Sequence, residues 1–147
     1  MSQEDVTQYG HSKAQEIQER RERRRVADEK ASVDGKLKMM WAPRLWLEIR
    51  EEMTQLAQAV NEALGEPALE CEEVSPEIVV VNIAGVPSNL SVAFDVKSAR
   101  FVLTLNDHLE TYTLEVVRGE VKLKAVGYFS PRQVAKMLVD KAASMVL

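Results

Sequence analysis

A single cysteine, Cys71, stands in 147 residues, so the chain can close no disulfide on itself; this fits a reducing compartment and predicts a cytoplasmic protein. Histidine is almost as scarce. His11 and His108 are the only two, and neither has zinc-type spacing with Cys71, so no metal site is predicted. No apolar run approaches the roughly 18 residues that a membrane span requires. The opening MSQEDVTQYGHSKAQ lacks the apolar core of a signal peptide, so no membrane association is expected. Gly85, Gly119 and Gly127 are isolated and form no phosphate-binding loop. There is no nucleophile elbow and no catalytic carboxylate pair. These absences predict a protein without a cofactor and lower the odds of an enzyme.

What is present divides into two parts. Residues 1–40 carry nine Lys/Arg against eight Asp/Glu, and residues 41–147 carry ten against fifteen, so the net charge of −4 conceals +1 followed by −5. The overall acidity argues against a dedicated nucleic-acid binder. The predicted organisation is a charged arm over residues 1–35, partly disordered or helical, and a single α+β domain over 36–147.

In the arm, residues 1–11 are expected to fray. Ser12 with Gln15 sketches a capping box, with a helix over Lys13–Ala31 to follow. Pairs at i,i+4 (Glu16–Arg20, Glu19–Arg23, Arg24–Asp28) support it by about 0.2–0.5 kcal/mol each. Asp34-Gly35 is expected to turn or stop it. The large apolar side chains of residues 1–35 are Val6, Tyr9, Ile17, Val26 and Val33, too few and too irregular for a core-facing stripe.

Beyond Leu37 the composition changes. Met39, Met40, Trp41, Leu45, Trp46 and Leu47 crowd together, and Pro43 suits a helical first turn. Trp46, Ile49, Met53, Leu56, Val60 and Leu64 recur at three or four residues, predicting a helix over about 44–64 that stops at Gly65. Pro67–Val74 and Glu77–Ala84 follow as strand candidates, the second apolar on both faces and expected to be an inner strand. Ser130 as N-cap, Pro131 at N1 and Gln133 at N3 predict a last helix to about Val146, with Phe129 and Val134 placed as a staple.

Between these lie four strands, LSVAFDV, RFVLTL, ETYTLEVV and EVKLKAV. Pairing Val96 with Phe101, Leu105 with Glu110 and Val117 with Glu120 gives loops of even length. One face then collects Val92, Phe94, Val96, Phe101, Leu103, Leu105, Tyr112, Leu114, Val116, Val121 and Leu123. The other carries Ser91, Ala93, Asp95, Thr104, Thr111, Thr113, Glu115, Lys122 and Lys124. In this register Phe94 opposes Leu103, Leu103 opposes Tyr112 and Glu115 opposes Lys122. The predicted fold is a two-layer α+β sandwich: a mainly antiparallel meander sheet of about six strands, two amphipathic helices on one face, and the arm. In size, acidity and helix–sheet–helix order the chain is similar to small bacterial secretion chaperones, but those carry a helix between their strands and this chain shows none.

The candidate partner-binding residues are Arg20, Arg21, Arg23, Arg24 and Arg25, with Met39, Met40 and Trp41. An arginine run of this kind suits phosphates or an acidic protein surface. The plainer reading is a solvated helix whose arginines pair with Glu16, Glu19, Glu22, Asp28 and Glu29, carboxylates that would repel a phosphate backbone. The Met/Trp group suits an adaptable binding surface or a core edge. Asp107-His108 with Glu110 sketches an acid/base site against the plainer reading of a surface-loop histidine. Cys71, flanked by Glu70, Glu72 and Glu73, reads as a buried strand residue. The acidic group Glu66, Glu70, Glu72, Glu73 and Glu77 reads as a solvated edge strand. The function expected is a non-enzymatic protein-interaction module, adaptor or chaperone-like and homodimeric. The alternatives are nucleic-acid binding through the arm and a small enzyme.

Overall fold

The computed structural model describes residues 2–147; Met1 lies outside them. The chain divides into two compact units, Met1–Lys36 and Leu37–Leu147. Its elements are α1 (Gln3–Leu64), β1 (Leu69–Ser75), β2 (Ile78–Ile83), β3 (Leu90–Asp95), β4 (Arg100–Leu105), β5 (His108–Val117), β6 (Glu120–Lys124), β7 (Tyr128–Phe129) and α2 (Pro131–Ser144).

The expected stop at Asp34-Gly35 is absent, and residues 3–10, expected to fray, are helical. A glycine ends a helix by adopting a left-handed conformation, as Gly65 does with φ of 73°. Gly35 has no positive φ, so it costs helix propensity without reversing the chain. Pro43 likewise stands inside α1 and not at a first turn. Its cost is the missing N–H, which leaves the Met39 carbonyl without a helical donor.

In the second unit the strands form one antiparallel sheet in chain order, seven strands instead of six, because Tyr128–Phe129 adds a short strand against β6. The alternation read from the sequence holds. Val92, Phe94, Phe101, Leu103, Tyr112, Leu114 and Leu123 are buried on one face, joined by Leu90. No residue of the other face is buried. The pairing itself is shifted by two residues at two hairpins. Phe94 opposes Phe101, not Leu103, and the β3–β4 strands close on Asp95 and Arg100. Phe101 opposes Tyr112 and Leu103 opposes Glu110, because β4 and β5 close on Leu105 and His108 around a two-residue turn. A shift of two preserves which face each side chain takes. The third hairpin pairs as expected, with Leu114 opposite Leu123 and Glu115 opposite Lys122.

The turns explain the shifts. Asn106 adopts φ of 62°, which a two-residue hairpin turn requires and asparagine tolerates. The Asp95 carboxylate accepts from the Lys97 and Ser98 N–H groups at 3.2 and 3.4 Å, so Val96 enters the turn and is exposed instead of joining the dry face. β2 lies between β1 and β3 but is covered on one side only: Val79, Val81 and Ile83 are buried, whereas Ile78 and Asn82 are exposed.

Two helical faces cover the dry side of the sheet. Ala42, Leu45, Trp46, Ile49, Met53 and Ala57 of α1 join Val134, Ala135, Leu138, Val139 and Ala142 of α2 in one core with the strands. Leu64 is exposed, two turns beyond this stripe. Trp46 stacks on Phe101 at 6.1 Å, and its indole N–H donates to the Pro76 carbonyl at 2.8 Å. α2 carries the capping box read from the sequence: Ser130 Oγ accepts from the Gln133 N–H at 3.1 Å, and Gln133 Oε1 accepts from the Ser130 N–H at 2.8 Å.

Candidate functional site

The first unit carries the arginine run. Every residue from Ser2 to Val33 is exposed, and none of the arm's apolar side chains is buried within it. Helical spacing sets Arg20, Arg21 and Arg24 beside Ile17, and these four line an open groove of about 570 Å³. Arg25 is held otherwise: its guanidinium donates to Glu22 at 2.6 and 3.1 Å and to Glu29 at 2.6 Å. Glu22 is held below the usual carboxylate range by that bond, and the Arg25 guanidinium is pushed up in return. Lys13 pairs with Glu16 at 3.3 Å. The expected pairs Glu16–Arg20, Glu19–Arg23 and Arg24–Asp28 do not form, and among the described residues no ion pair involves Arg20, Arg21, Arg23 or Arg24.

In the second unit the Met/Trp group separates. Trp46 belongs to the core, whereas Met39 and Met40 are 55% and 53% exposed. Trp41 is half-buried, with the Arg44 guanidinium 4.9 Å from its ring centroid, a cation–π contact that covers one ring face. Leu47, one heptad beyond Met40, is also exposed.

His108 opens β5 and does not sit in the hairpin loop. Its Nε2 is 3.4 Å from Glu110, whose other oxygen accepts from the Tyr112 hydroxyl at 2.8 Å. The same hydroxyl lies 3.0 Å from Met137 Sδ. Burial and the Glu110 charge push the Tyr112 phenol well above its usual range. Asp107 is exposed and takes no part. Glu110 is held by the Tyr112 hydroxyl, with the His108 ring beside its other oxygen. Sequence spacing placed His108 and Glu110 near each other but offered no sign of Tyr112, which reads simply as one more apolar strand position.

Cys71 is half-buried in β1 with its thiol 3.7 Å from the Met53 carbonyl. Burial first, and Glu70 second, push its pKa up, the opposite of what a nucleophile requires. The acidic strand is partly tied down: Arg50 donates to Glu73 at 2.6 Å and Asn82 donates to Glu72 at 2.8 Å. Among the described residues no group of three or more His, Cys, Asp or Glu is placed to hold a metal, and no helix is long and apolar enough to cross a membrane. On the wet face Glu115 bonds to Lys124 at 2.9 Å and to the Tyr128 hydroxyl at 2.9 Å, and these two bonds hold its carboxyl below the usual range.

No protein-family model, curated protein or solved structure matches this chain.

Proposed function

We propose that the chain is a non-enzymatic protein-interaction module, adaptor or chaperone-like and cytoplasmic, whose arm binds an acidic protein surface. The observation that carries this reading is the helical arm, in which, among the described residues, none from Ser2 to Val33 is buried and four arginines are free of ion pairs. A helix draws most of its stability from packing one face, and within residues 2–33 of α1 no side chain is buried. A partner supplies that missing face. Met39, Met40 and Leu47 leave apolar surface on the second unit, which favours a two-fold homodimer.

A second reading, nucleic-acid binding, is favoured by the same unpaired guanidiniums. Against it, residues 1–36 hold eight Asp/Glu beside eight Lys/Arg, which weakens attraction to a continuous phosphate backbone.

Titration of the full chain with polyglutamate and, separately, with duplex RNA tests the two. The expected result is polyglutamate binding that falls by about tenfold or more in the Arg21→Glu/Arg24→Glu double variant, with unfolding unchanged. Tight RNA binding with a steep salt dependence, and none to polyglutamate, reverses the assignment. For the homodimer, light scattering should give twice 16.5 kDa, and a mass that stays at 16.5 kDa over a wide concentration range rules it out.

A further inference from the structure

β5 changes partners midway. His108–Tyr112 pairs with β4, and Thr113–Val117 pairs with β6. Both hairpins close on two-residue turns, Leu105 with His108 and Val117 with Glu120, and such closing pairs exchange both backbone hydrogen bonds. Counting by two from His108 directs the N–H and C=O groups of His108, Glu110 and Tyr112 toward β4. Counting back from Val117 directs those of Val117, Glu115 and Thr113 toward β6. The two counts agree, and they leave the backbone groups of Leu109 and Thr111 pointing to the β6 side.

Among the described residues no strand occupies that side. β6 ends at Lys124, opposite Thr113, because Ala125–Gly127 turns the chain back into β7, with the Ala125 N–H bonded to the Gly127 carbonyl at 3.0 Å. The vacated edge is an open groove of about 540 Å³. Phe129 and Met137 line it on the core side, Leu109, Thr111 and Val126 line it elsewhere, and Glu110 is its acidic group. The floor is firm, since Tyr112 meets Phe129 edge-on at 5.3 Å and bonds to Glu110.

We infer that this notch is a strand-acceptor site for an extended segment of a partner protein, with an apolar side chain at alternate positions. The four unpaired backbone groups of Leu109 and Thr111 ask for extended backbone, which supplies a donor and an acceptor at every second residue. The period-two side chains of such a strand would meet Phe129 and Met137 on one side and solvent on the other. The notch lies wholly in the second unit and owes nothing to the arm, so it stands or falls apart from the proposed function.

The probe is acetyl-Thr-Val-Thr-Val-Thr-amide, titrated into the full-length protein with backbone amides observed by NMR. Binding should shift the Leu109 and Thr111 amides and the Phe129 and Met137 side chains. N-methylation of the three threonines should weaken it by about tenfold or more, because in an antiparallel ladder the residues bonded to Leu109 and Thr111 share their exposed face, while valines that meet Phe129 and Met137 turn their N–H groups away. Thr111→Pro should abolish binding while leaving the unfolding midpoint in place, since proline is tolerated where an edge N–H has no ladder partner. Leu109→Pro is the second variant. The inference is overturned if the peptide does not bind or binds elsewhere, or if both proline variants unfold. It is also overturned if the Leu109 and Thr111 amides are already protected in the free protein. Protection that grows with protein concentration would assign the notch to a second copy, against the inference.

Discussion

Asn61 on α1 is bonded twice to the backbone of Leu69 on β1: its side-chain oxygen accepts from the Leu69 N–H at 2.9 Å, and its amide donates to the Leu69 carbonyl at 2.7 Å. β1 is an edge strand, and Leu69 is buried, so both backbone groups would otherwise be costly to leave unpaired. The carboxamide takes the place of a neighbouring strand for one residue. Asn61→Ala should therefore cost about 1–3 kcal/mol, read from denaturant titration. An effect within about 0.5 kcal/mol would mean that water replaces the side chain without loss.

The sheet core makes a second prediction. Phe94 and Phe101 stack at 5.0 Å, and Trp46 closes over both at 5.9 and 6.1 Å. Phe94→Ala should cost about 3–5 kcal/mol through lost burial and the cavity left behind. Lys122→Ala, on the exposed face, should fall within about ±0.5 kcal/mol. If chemical denaturation ranks the two in reverse order, the faces have been assigned the wrong way round.

Tyr112 gives the fold a pH dependence. Its phenol is raised in the folded chain by burial first and by Glu110 second, relative to the ordinary value of 10.0. An acid whose folded pKa is raised adds stability that is full below the unfolded pKa and is lost as pH rises through the folded one. Stability should thus decline above about pH 10 in the native chain. Tyr112→Phe should flatten that decline, with the difference between the two proteins constant below about pH 9. Urea titrations from pH 7 to 11, compared between the two, read this directly. Equal slopes above pH 10 would show that the phenol is not the group responsible.

The faces of the sheet were legible because side-chain direction depends only on parity, and three even-length loops preserve it. Strand partners were less legible. Asn106-Asp107 makes the tight turn with a positive φ at asparagine, and a longer loop with the same parity fits the apolar pattern equally well. The α2 cap was readable because Ser130, Pro131 and Gln133 act within one turn. Asn61 was not, since its partner is eight residues away across a reversal that no local pattern encodes. Gly35 and Pro43 misled for a related reason: each is unfavourable within a helix, yet only a change of backbone conformation ends one. The arginine run was visible in composition, but which of its members pair is settled by geometry. Arg25 reaches Glu22 and Glu29, whereas Arg20, Arg21, Arg23 and Arg24 pair with no carboxylate among the described residues.

The central claim is that the arm serves a partner and not the fold. Native-state amide exchange of the full-length chain tests this most directly, because protection measures the free energy of local opening. The account predicts that amides of residues 2–33 exchange nearly as fast as an isolated helix allows. Core amides such as those of Val92 and Leu103 should exchange only on global unfolding. Arm amides protected to the level of the core, in the chain without any partner, would show that the arm is already docked and would contradict the claim.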